Sequence, residues 1–293
     1  MKSSMRTVAS LLVFLTIAAG AERSYAGDGA SQSAPDSYLR LKDSTKVEDA
    51  PHVWERIEGR KHIVIIGTYH LLDPQARMYQ RMAAIFERVR PQFILHESVA
   101  PDDLATETRD QAIRRGADLG FTVQLARQSG VPTESADAPA REEMAELLAH
   151  HSASEVFVYL VATRLIGSYR SPDLREDVAE YPAFFRAQIV DNGIPVQAGW
   201  ETWDGFSHEY RRITGHSLAA KTWEPRLLDP TLNLGRLNEV ARTSDTLRDR
   251  YLFAAIRRSL QKYDRVIVVF GDDHVLALES SLKGLFENEQ GRR

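Results

Sequence analysis

The sequence contains no cysteine among its 293 residues. That absence excludes disulfide bonds, thiolate zinc sites, iron–sulfur clusters, a cysteine nucleophile and a lipid-anchored N-terminal cysteine. Glycine (17 residues) and proline (12 residues) are too scarce for a collagen-like or wholly disordered chain. The chain has no excess of basic residues either. Its formal net charge is −4, so it lacks the basic surface of a nucleic-acid-binding protein. Chemistry must therefore come from histidine, carboxylates, hydroxyls or arginine.

The N-terminus has the charge and hydropathy order of a secretory signal peptide. Lys2 and Arg6 precede an apolar run over residues 8–19, and small residues follow it. Cleavage is predicted after Ala21 or after Ala26. The apolar run is shorter than the roughly 20 residues that a spanning helix needs, and an uncleaved N-terminal anchor is the alternative. The sequence thus predicts a periplasmic or secreted protein without stable membrane insertion after cleavage.

Short β-branched runs alternate with helical patterns along most of the chain. Strands are predicted at residues 62–66, 92–95, 131–133 and 265–270, and helices at 75–90, 119–128, 246–262 and 274–286. Strands that alternate with helices indicate a parallel sheet covered on both faces. Residues from 139 to about 240 show long helical windows instead, and they are predicted to cap the carboxyl edge of the sheet. The predicted fold is a single α/β domain over residues 27–293, with a mostly parallel central sheet flanked by helices.

Side chains with catalytic or metal-binding chemistry follow the predicted strands. The first strand runs into a Gly-x-x-His motif that ends at His70, and the last runs into a second such motif that ends at His274. Glu97 follows the second strand and Glu134 follows the third. Because the carboxyl ends of parallel strands share one edge of a sheet, where open α/β folds bind their ligands, these four side chains are expected to converge. Ordinary capping and turn roles are the alternative.

Two imidazoles and two carboxylates without sulfur suit a divalent metal ion, namely Zn²⁺, Mn²⁺, Fe²⁺ or Co²⁺. Such an ion lowers the pKa of a bound water and polarises a carbonyl or phosphoryl oxygen. A carboxylate beside that water can act as a general base. Tyr69, Asp272 and Asp273 are secondary candidates: Tyr69 as a hydrogen-bond donor or a packing residue, the two aspartates as metal-binding or solvated acids.

The paired motifs, the two glutamates and the helical pair Arg248-Asp249 resemble the TraB/TIKI/erythromycin-esterase/ChaN-like superfamily. The resemblance covers residues 60–140 and 244–287, while the helical middle matches only as an insert. It implies an α/β core with its site at the carboxyl edge of the sheet, and a metal held by the motif histidines. It also implies that Glu97 is a metal ligand or the general base, and that Arg248 stabilises an oxyanion or holds a substrate carboxylate. A salt bridge between Arg248 and Asp245 or Asp249 is the alternative.

The members of this superfamily differ in activity. TIKI proteins are metal-dependent proteases, erythromycin esterases are hydrolases, ChaN-like proteins are linked to haem-iron binding, and TraB-type proteins are linked to peptide-pheromone control. The resemblance therefore implies an exported metal-dependent hydrolase of a peptide or of another amide or ester bond. The alternative is a non-catalytic protein of the same fold that binds haem, iron or a regulatory peptide. Leu252, near where many TraB-type members carry methionine, leaves the subfamily open.

Overall fold

The computed structural model describes residues 36–41, 49–167, 174–218 and 225–290. The predicted signal peptide lies outside these ranges. Across the described ranges, the model contains no helix with the length and apolar character needed to span a membrane.

The centre of the molecule is a five-stranded sheet with the order β1-β2-β5-β3-β4. β1 is antiparallel to β2, and every other neighbouring pair is parallel. The predicted mostly parallel α/β sheet is therefore confirmed, and β1 is a strand that the sequence patterns did not predict. The strands are β1 (His52–Glu58), β2 (Lys61–Thr68), β3 (Phe93–His96), β4 (Thr133–Ser135) and β5 (Arg265–Gly271).

Helices flank the sheet and fill the middle of the chain. Several begin before the predicted positions: the helix predicted from residue 119 begins at Arg109, and the one predicted from residue 246 begins at Arg236. Two helices continue into π-helical turns, at Ala162–Ile166 and Phe185–Val190. The helices are α1 (Asp36–Leu39), α2 (Arg77–Val89), α3 (Arg109–Ser129), α4 (Ala140–His150), α5 (Ala153–Val161), α6 (Leu174–Phe184), α7 (Trp203–Thr214), α8 (Arg236–Lys262) and α9 (Asp272–Gln290).

Both faces of the sheet are buried, which explains why β2 and β5 read as continuous apolar runs rather than as alternating ones. Side chains on one face of the sheet pack with residues of α8 and α9. Side chains on the other face pack with residues of α2 and α3. The first set contains Ile63, Ile65, Val266 and Val268. The second contains Val64, Ile66, Ile267 and Val269.

The helical insert builds a third apolar cluster of its own, from α4 to α7 and the first turns of α8. Trp200 is 2% exposed, and its ring stacks on that of Phe157 with the centroids 4.1 Å apart. A cavity of about 1230 Å³ separates the insert from the sheet. Its walls include His70 and Glu97 from the strand ends and Gln188 from the insert. The predicted cap over the carboxyl edge of the sheet is thereby confirmed.

The end of β2 lies so close to the start of α9 that only glycine fits at Gly67. A Cβ there would lie 2.6 Å from Asp272 Oδ1 and 3.1 Å from Asp272 Cα. We expect Gly67→Ala to lower the free energy of unfolding by about 1–3 kcal/mol, the usual cost of overpacking. Urea denaturation measures it. The control is Gly284→Ala in α9, where the added Cβ meets nothing within 4 Å. Equal denaturation midpoints for wild type and Gly67→Ala would contradict this close approach.

Candidate active site at the carboxyl edge of the sheet

The two Gly-x-x-His motifs leave the sheet side by side. β2 and β5 are hydrogen-bonded neighbours, and Thr68 pairs with Gly271 at their ends. His70 follows β2 in a loop, whereas His274 lies in the first turn of α9, which begins directly after β5. Glu97 comes next to them because β3 pairs with β5 on its other side, and the Glu97 N–H donates to Val269 O at 3.1 Å. The strand order thus brings three of the four predicted residues together.

His70 is held by a buried aspartate that the sequence did not predict as a site residue. Its Nδ1 lies 2.6 Å from Asp118 Oδ1, and the Thr68 hydroxyl donates to the other oxygen, Asp118 Oδ2, also at 2.6 Å. Asp118 is 2% exposed, while the His70 side chain is 42% exposed and lines the large cavity. A carboxylate that binds Nδ1–H fixes the tautomer in which Nε2 carries the lone pair. His70 therefore has the arrangement of an oriented acid–base histidine.

The charge of Asp118 changes the titration of this ring. Its negative charge raises the pKa of His70 from 6.5 to about 9, although burial opposes the shift. A pKa that rises on folding means that the pair stabilises the fold most fully below pH 6.5, and that this contribution is lost as the pH rises through about 9. The imidazolium of His70 is thus the form that the folded protein favours at neutral pH.

The strained backbone of Ala117 in α3 directs the side chain of Asp118 toward His70. Ala117 interrupts the helix with φ 47° and ψ −129°. Such values are costly for a residue with a Cβ, and they persist where the surroundings enforce them, commonly at functional sites. After this interruption, the backbone at position 120 passes so close to Ala112 that only glycine fits. A Cβ at Gly120 would lie 2.0 Å from Ala112 O. The interruption places Asp118 against the end of β2 rather than along the regular helix surface.

His274 repeats the arrangement found at His70. Its Nδ1 lies 2.8 Å from Asp249 Oδ1, and Asp249 is completely buried in α8. A hydroxyl again donates to the second carboxylate oxygen: Tyr38 Oη lies 2.9 Å from Asp249 Oδ2 and 3.0 Å from His274 Nδ1. Each motif histidine is therefore oriented through Nδ1 by a buried aspartate, and each aspartate is fixed by a hydroxyl.

Arg248 joins these elements. Its guanidinium donates from Nη2 to Glu97 Oε1 at 2.5 Å and from Nε to Asp137 Oδ1 at 2.8 Å. The other oxygen of Glu97 accepts the Gly271 N–H at 2.8 Å. Burial raises the pKa of Glu97, but the positive charges of Arg248, His70 and His274 prevail and hold that pKa well below its usual range. Glu97 is thus a fully paired anion that positions Arg248, rather than an available base.

Arg248 and His274 meet at a point that suits a negative charge. Arg248 Nη1 lies 3.1 Å from His274 Nε2, which is a hydrogen bond when Nε2 carries the lone pair. Burial and Arg248 lower the pKa of His274, yet Asp249 and Asp245 raise it, to about 9. A protonated ring turns Nε2–H into a second donor beside the guanidinium. The Asp245 Oδ1 atom lies 3.7 Å from Arg248 Nη1 and 3.8 Å from His274 Nε2, too far to accept a hydrogen bond from either, so both donors can still bind an oxyanion.

The other predicted residues lie around this centre. Glu134 is at the rim of the cavity, where its side chain is 53% exposed and lies 3.6 Å from Arg258. Tyr69 is half-buried and packs against the core on the α2 side of the sheet. Asp272 is 4% exposed beside Gly67, and Asp273 lines the cavity. The structure therefore groups His70, Glu97, Arg248 and His274, and leaves Glu134 at a distance from the paired charges.

The predicted metal ligands do not meet at one point. Both oxygens of Glu97 are engaged, and the guanidinium of Arg248 stands between Glu97 and His274. Glu134 faces Arg258 instead. No group of three or more histidine, aspartate or glutamate side chains in the described ranges is arranged to hold a metal ion. These donors therefore do not fit a metal ion in this arrangement.

Sequence reasoning missed three residues of this site. Asp118 had a usable signal, since it is an acid directly before the predicted helix at residues 119–128. Asp137 follows Glu134 closely in the same strand-end segment, and it is Asp137 that pairs with Arg248. Tyr38 had no signal, because it stands alone before the first predicted strand.

Membership of the TraB/TIKI/erythromycin-esterase/ChaN-like superfamily stays a prediction from the Gly-x-x-His motifs and the residues around them. Comparisons with models of known protein families, with curated proteins and with solved structures found no match to this chain.

Proposed function

We propose that this protein is a hydrolase of amide or ester bonds in which His70 activates water and Arg248, with His274, stabilises the oxyanion. The observation that carries the proposal is the 2.6 Å contact between His70 Nδ1 and Asp118, formed by a histidine that lines a cavity also lined by Arg248. Hydrolysis of a carbonyl compound needs a base to activate water and a positive charge to stabilise the oxyanion. A histidine oriented by a buried carboxylate supplies the first, and a fixed cation supplies the second.

The proposed reaction uses only these side chains and one water. Neutral His70 takes a proton from water at Nε2 while the water oxygen bonds to the carbonyl carbon of the substrate. The carbonyl oxygen becomes an oxyanion and accepts hydrogen bonds from Arg248 and from protonated His274. As the carbon–nitrogen or carbon–oxygen bond breaks, the leaving group takes the proton from His70 Nε2. Asp118 keeps the Nδ1 proton in place throughout.

The size of the cavity supports a substrate larger than a simple acyl ester. Ligand pockets commonly measure roughly 300–1000 Å³, and this one measures about 1230 Å³. Thr163 and Phe184 from the helical insert line it together with His70 and Arg248. A peptide or a comparably large amide or ester fits this space. If the predicted signal peptide is cleaved, that substrate is met in the periplasm or outside the cell.

The proposal predicts an alkaline pH optimum. His70 must be neutral to accept a proton, and Asp118 raises the pKa of its ring to about 9. His274 must be protonated to donate, and its pKa is also about 9. We therefore expect kcat/KM to rise with pH, to peak near pH 9 and to fall above it. A metal-bound water has a pKa near 7, so a plateau from about pH 7 that a chelator abolishes would contradict this assignment.

The direct test compares wild type with His70→Gln on a panel of fluorogenic esters and amides. The control is His62→Gln, at the start of β2, whose Nε2 bonds Glu55 2.7 Å away. We expect hydrolysis by wild type and by the control, and its loss in His70→Gln. Equal activity in all three proteins would refute the role of His70. Activity that follows bound metal would favour the metal-dependent hydrolase predicted from the sequence, and a Soret band without hydrolysis would favour the haem-binding alternative.

A further inference from the structure

A tyrosine from the segment that precedes the sheet reaches the back of the site. Tyr38 lies in the single turn α1, is 0% exposed, and contacts α9 residue His274 edge to face, with the ring centroids 6.3 Å apart. Its hydroxyl bridges Asp249 Oδ2 at 2.9 Å and His274 Nδ1 at 3.0 Å. Tyr38 and His274 are 236 positions apart in the chain. The segment around Tyr38 therefore packs against the buried side of His274, away from the cavity.

The hydrogen bonds of Asp249 show what the hydroxyl contributes. Asp249 is 0% exposed, so a carboxylate oxygen there has no bulk water to bond. Oδ1 accepts from His274 Nδ1, and Oδ2 accepts from Tyr38. Removing the hydroxyl leaves Oδ2 without this donor, and a buried anionic oxygen that loses its partner rotates or takes up a proton. Either change weakens the hydrogen bond from Nδ1–H to Asp249 that orients His274.

The corresponding hydroxyl at the other histidine comes from a different place. Thr68 fixes Asp118 from the strand that ends two residues before His70, so that part of the site forms when β2 and α3 pack together. The hydroxyl beside Asp249 belongs to neither the strand nor the helix that carries its histidine. The arrangement at His274 therefore depends on whether the segment around Tyr38 is docked.

We propose that Tyr38 is a positioning residue of the active site, whose hydroxyl holds Asp249 so that His274 keeps its Nε2 directed at Arg248. The segment at residues 36–41 is then a working part of the site. The catalytic consequence rests on the proposed hydrolase function, whereas the effect on the His274 ring does not.

The test replaces Tyr38 by phenylalanine, which keeps the ring and removes only the hydroxyl. The matched control is Tyr181→Phe in the cap, a buried tyrosine whose hydroxyl donates to Trp200 O at 2.5 Å. We expect kcat of Tyr38→Phe to fall about tenfold to a hundredfold, as for a lost hydrogen bond to a charged group, with KM nearly unchanged. Tyr181→Phe should keep the wild-type kcat. A wild-type kcat in Tyr38→Phe would overturn the proposal.

A second readout does not depend on hydrolysis. The Nδ1–H proton of His274 should give a downfield, ¹⁵N-coupled NMR signal, identified by its loss in His274→Gln. We expect Tyr38→Phe to shift or broaden this signal and Tyr181→Phe to leave it unchanged. Should Tyr38→Phe not fold, 3-fluorotyrosine at position 38 keeps the hydroxyl and must shift the same signal. An unmoved signal overturns the proposal, whereas a shifted signal in a protein that hydrolyses nothing supports it and refutes the hydrolase instead.

Discussion

Replacement of Asp118 by asparagine is expected to lower kcat by about three to four orders of magnitude while the protein stays folded, the loss known for the equivalent change in serine proteases. An asparagine amide that turns its NH₂ toward His70 donates to Nδ1, which moves the ring proton to Nε2. Nε2 then has no lone pair with which to take a proton from water. The Thr68 hydroxyl, now 2.6 Å from Asp118 Oδ2, keeps an acceptor if the amide oxygen faces it.

The measurement is kcat for the best ester or amide substrate of the panel, together with the midpoint of thermal unfolding. Asp110→Asn is the control: it lies in the same helix, its side chain is 44% exposed, and its partner is Arg109. We expect the control to keep both its kcat and its midpoint. A kcat within tenfold of wild type in Asp118→Asn would show that the tautomer of His70 does not matter, and water activation by this ring would have to be abandoned.

Replacement of Arg248 by methionine is expected to cost about 3–5 kcal/mol in the free energy of unfolding, and to abolish hydrolysis. The guanidinium donates to both carboxylate oxygens of Asp137, and it pairs with Glu97 in the same interior. Its side chain is 17% exposed, so water screens these charges little. Removing one member of a buried ion pair strands the other charges, which is far costlier than losing an exposed pair.

Urea denaturation of two further variants separates charge from packing. Arg236→Met removes an arginine from the same helix, α8, where its side chain is 54% exposed and pairs with Glu155; it should cost at most about 1 kcal/mol. Adding Glu97→Gln and Asp137→Asn to Arg248→Met should recover much of the lost stability, because the stranded carboxylates are gone. If the triple variant is no more stable than Arg248→Met, the loss comes from packing rather than from unpaired charge.

The sequence allowed most of the sheet to be predicted because its central strands are apolar on both faces. β5 was expected at residues 265–270 and occupies Arg265–Gly271, and β2 extends the expected 62–66 to Lys61–Thr68. β1 was not predicted because it is an edge strand: Trp54 is buried, while the charged Glu55, Arg56 and Glu58 interrupt any alternation. Sequence patterns of apolar residues reflect burial. An edge strand that buries few side chains therefore has only a weak pattern.

The site could be predicted only where it follows from strand ends. His70, His274 and Glu97 come from the carboxyl ends of adjacent strands, so the parallel sheet itself brings them together. Asp118 depends on the unusual backbone of Ala117, and no residue preference signals an alanine with a positive φ. Tyr38 is set by tertiary docking alone. Residues whose positions derive from irregular backbone or distant segments are invisible to periodicity.

The position of β5 also sets the order in which the protein can fold. β1 with β2, and β3 with β4, form two separate half-sheets, and only the last strand of the chain joins them. The contacts that it makes are very remote in sequence: Thr68 Oγ1 lies 3.2 Å from Phe270 O, 202 positions away. Closing such a large loop is entropically costly, and folds dominated by remote contacts assemble slowly. Until β5 inserts, the inner edges of both half-sheets stay unpaired and open to association with other chains, a hazard that slow folders share. Because β5 carries His274 behind it, the sheet loses these exposed edges in the same event that completes the site.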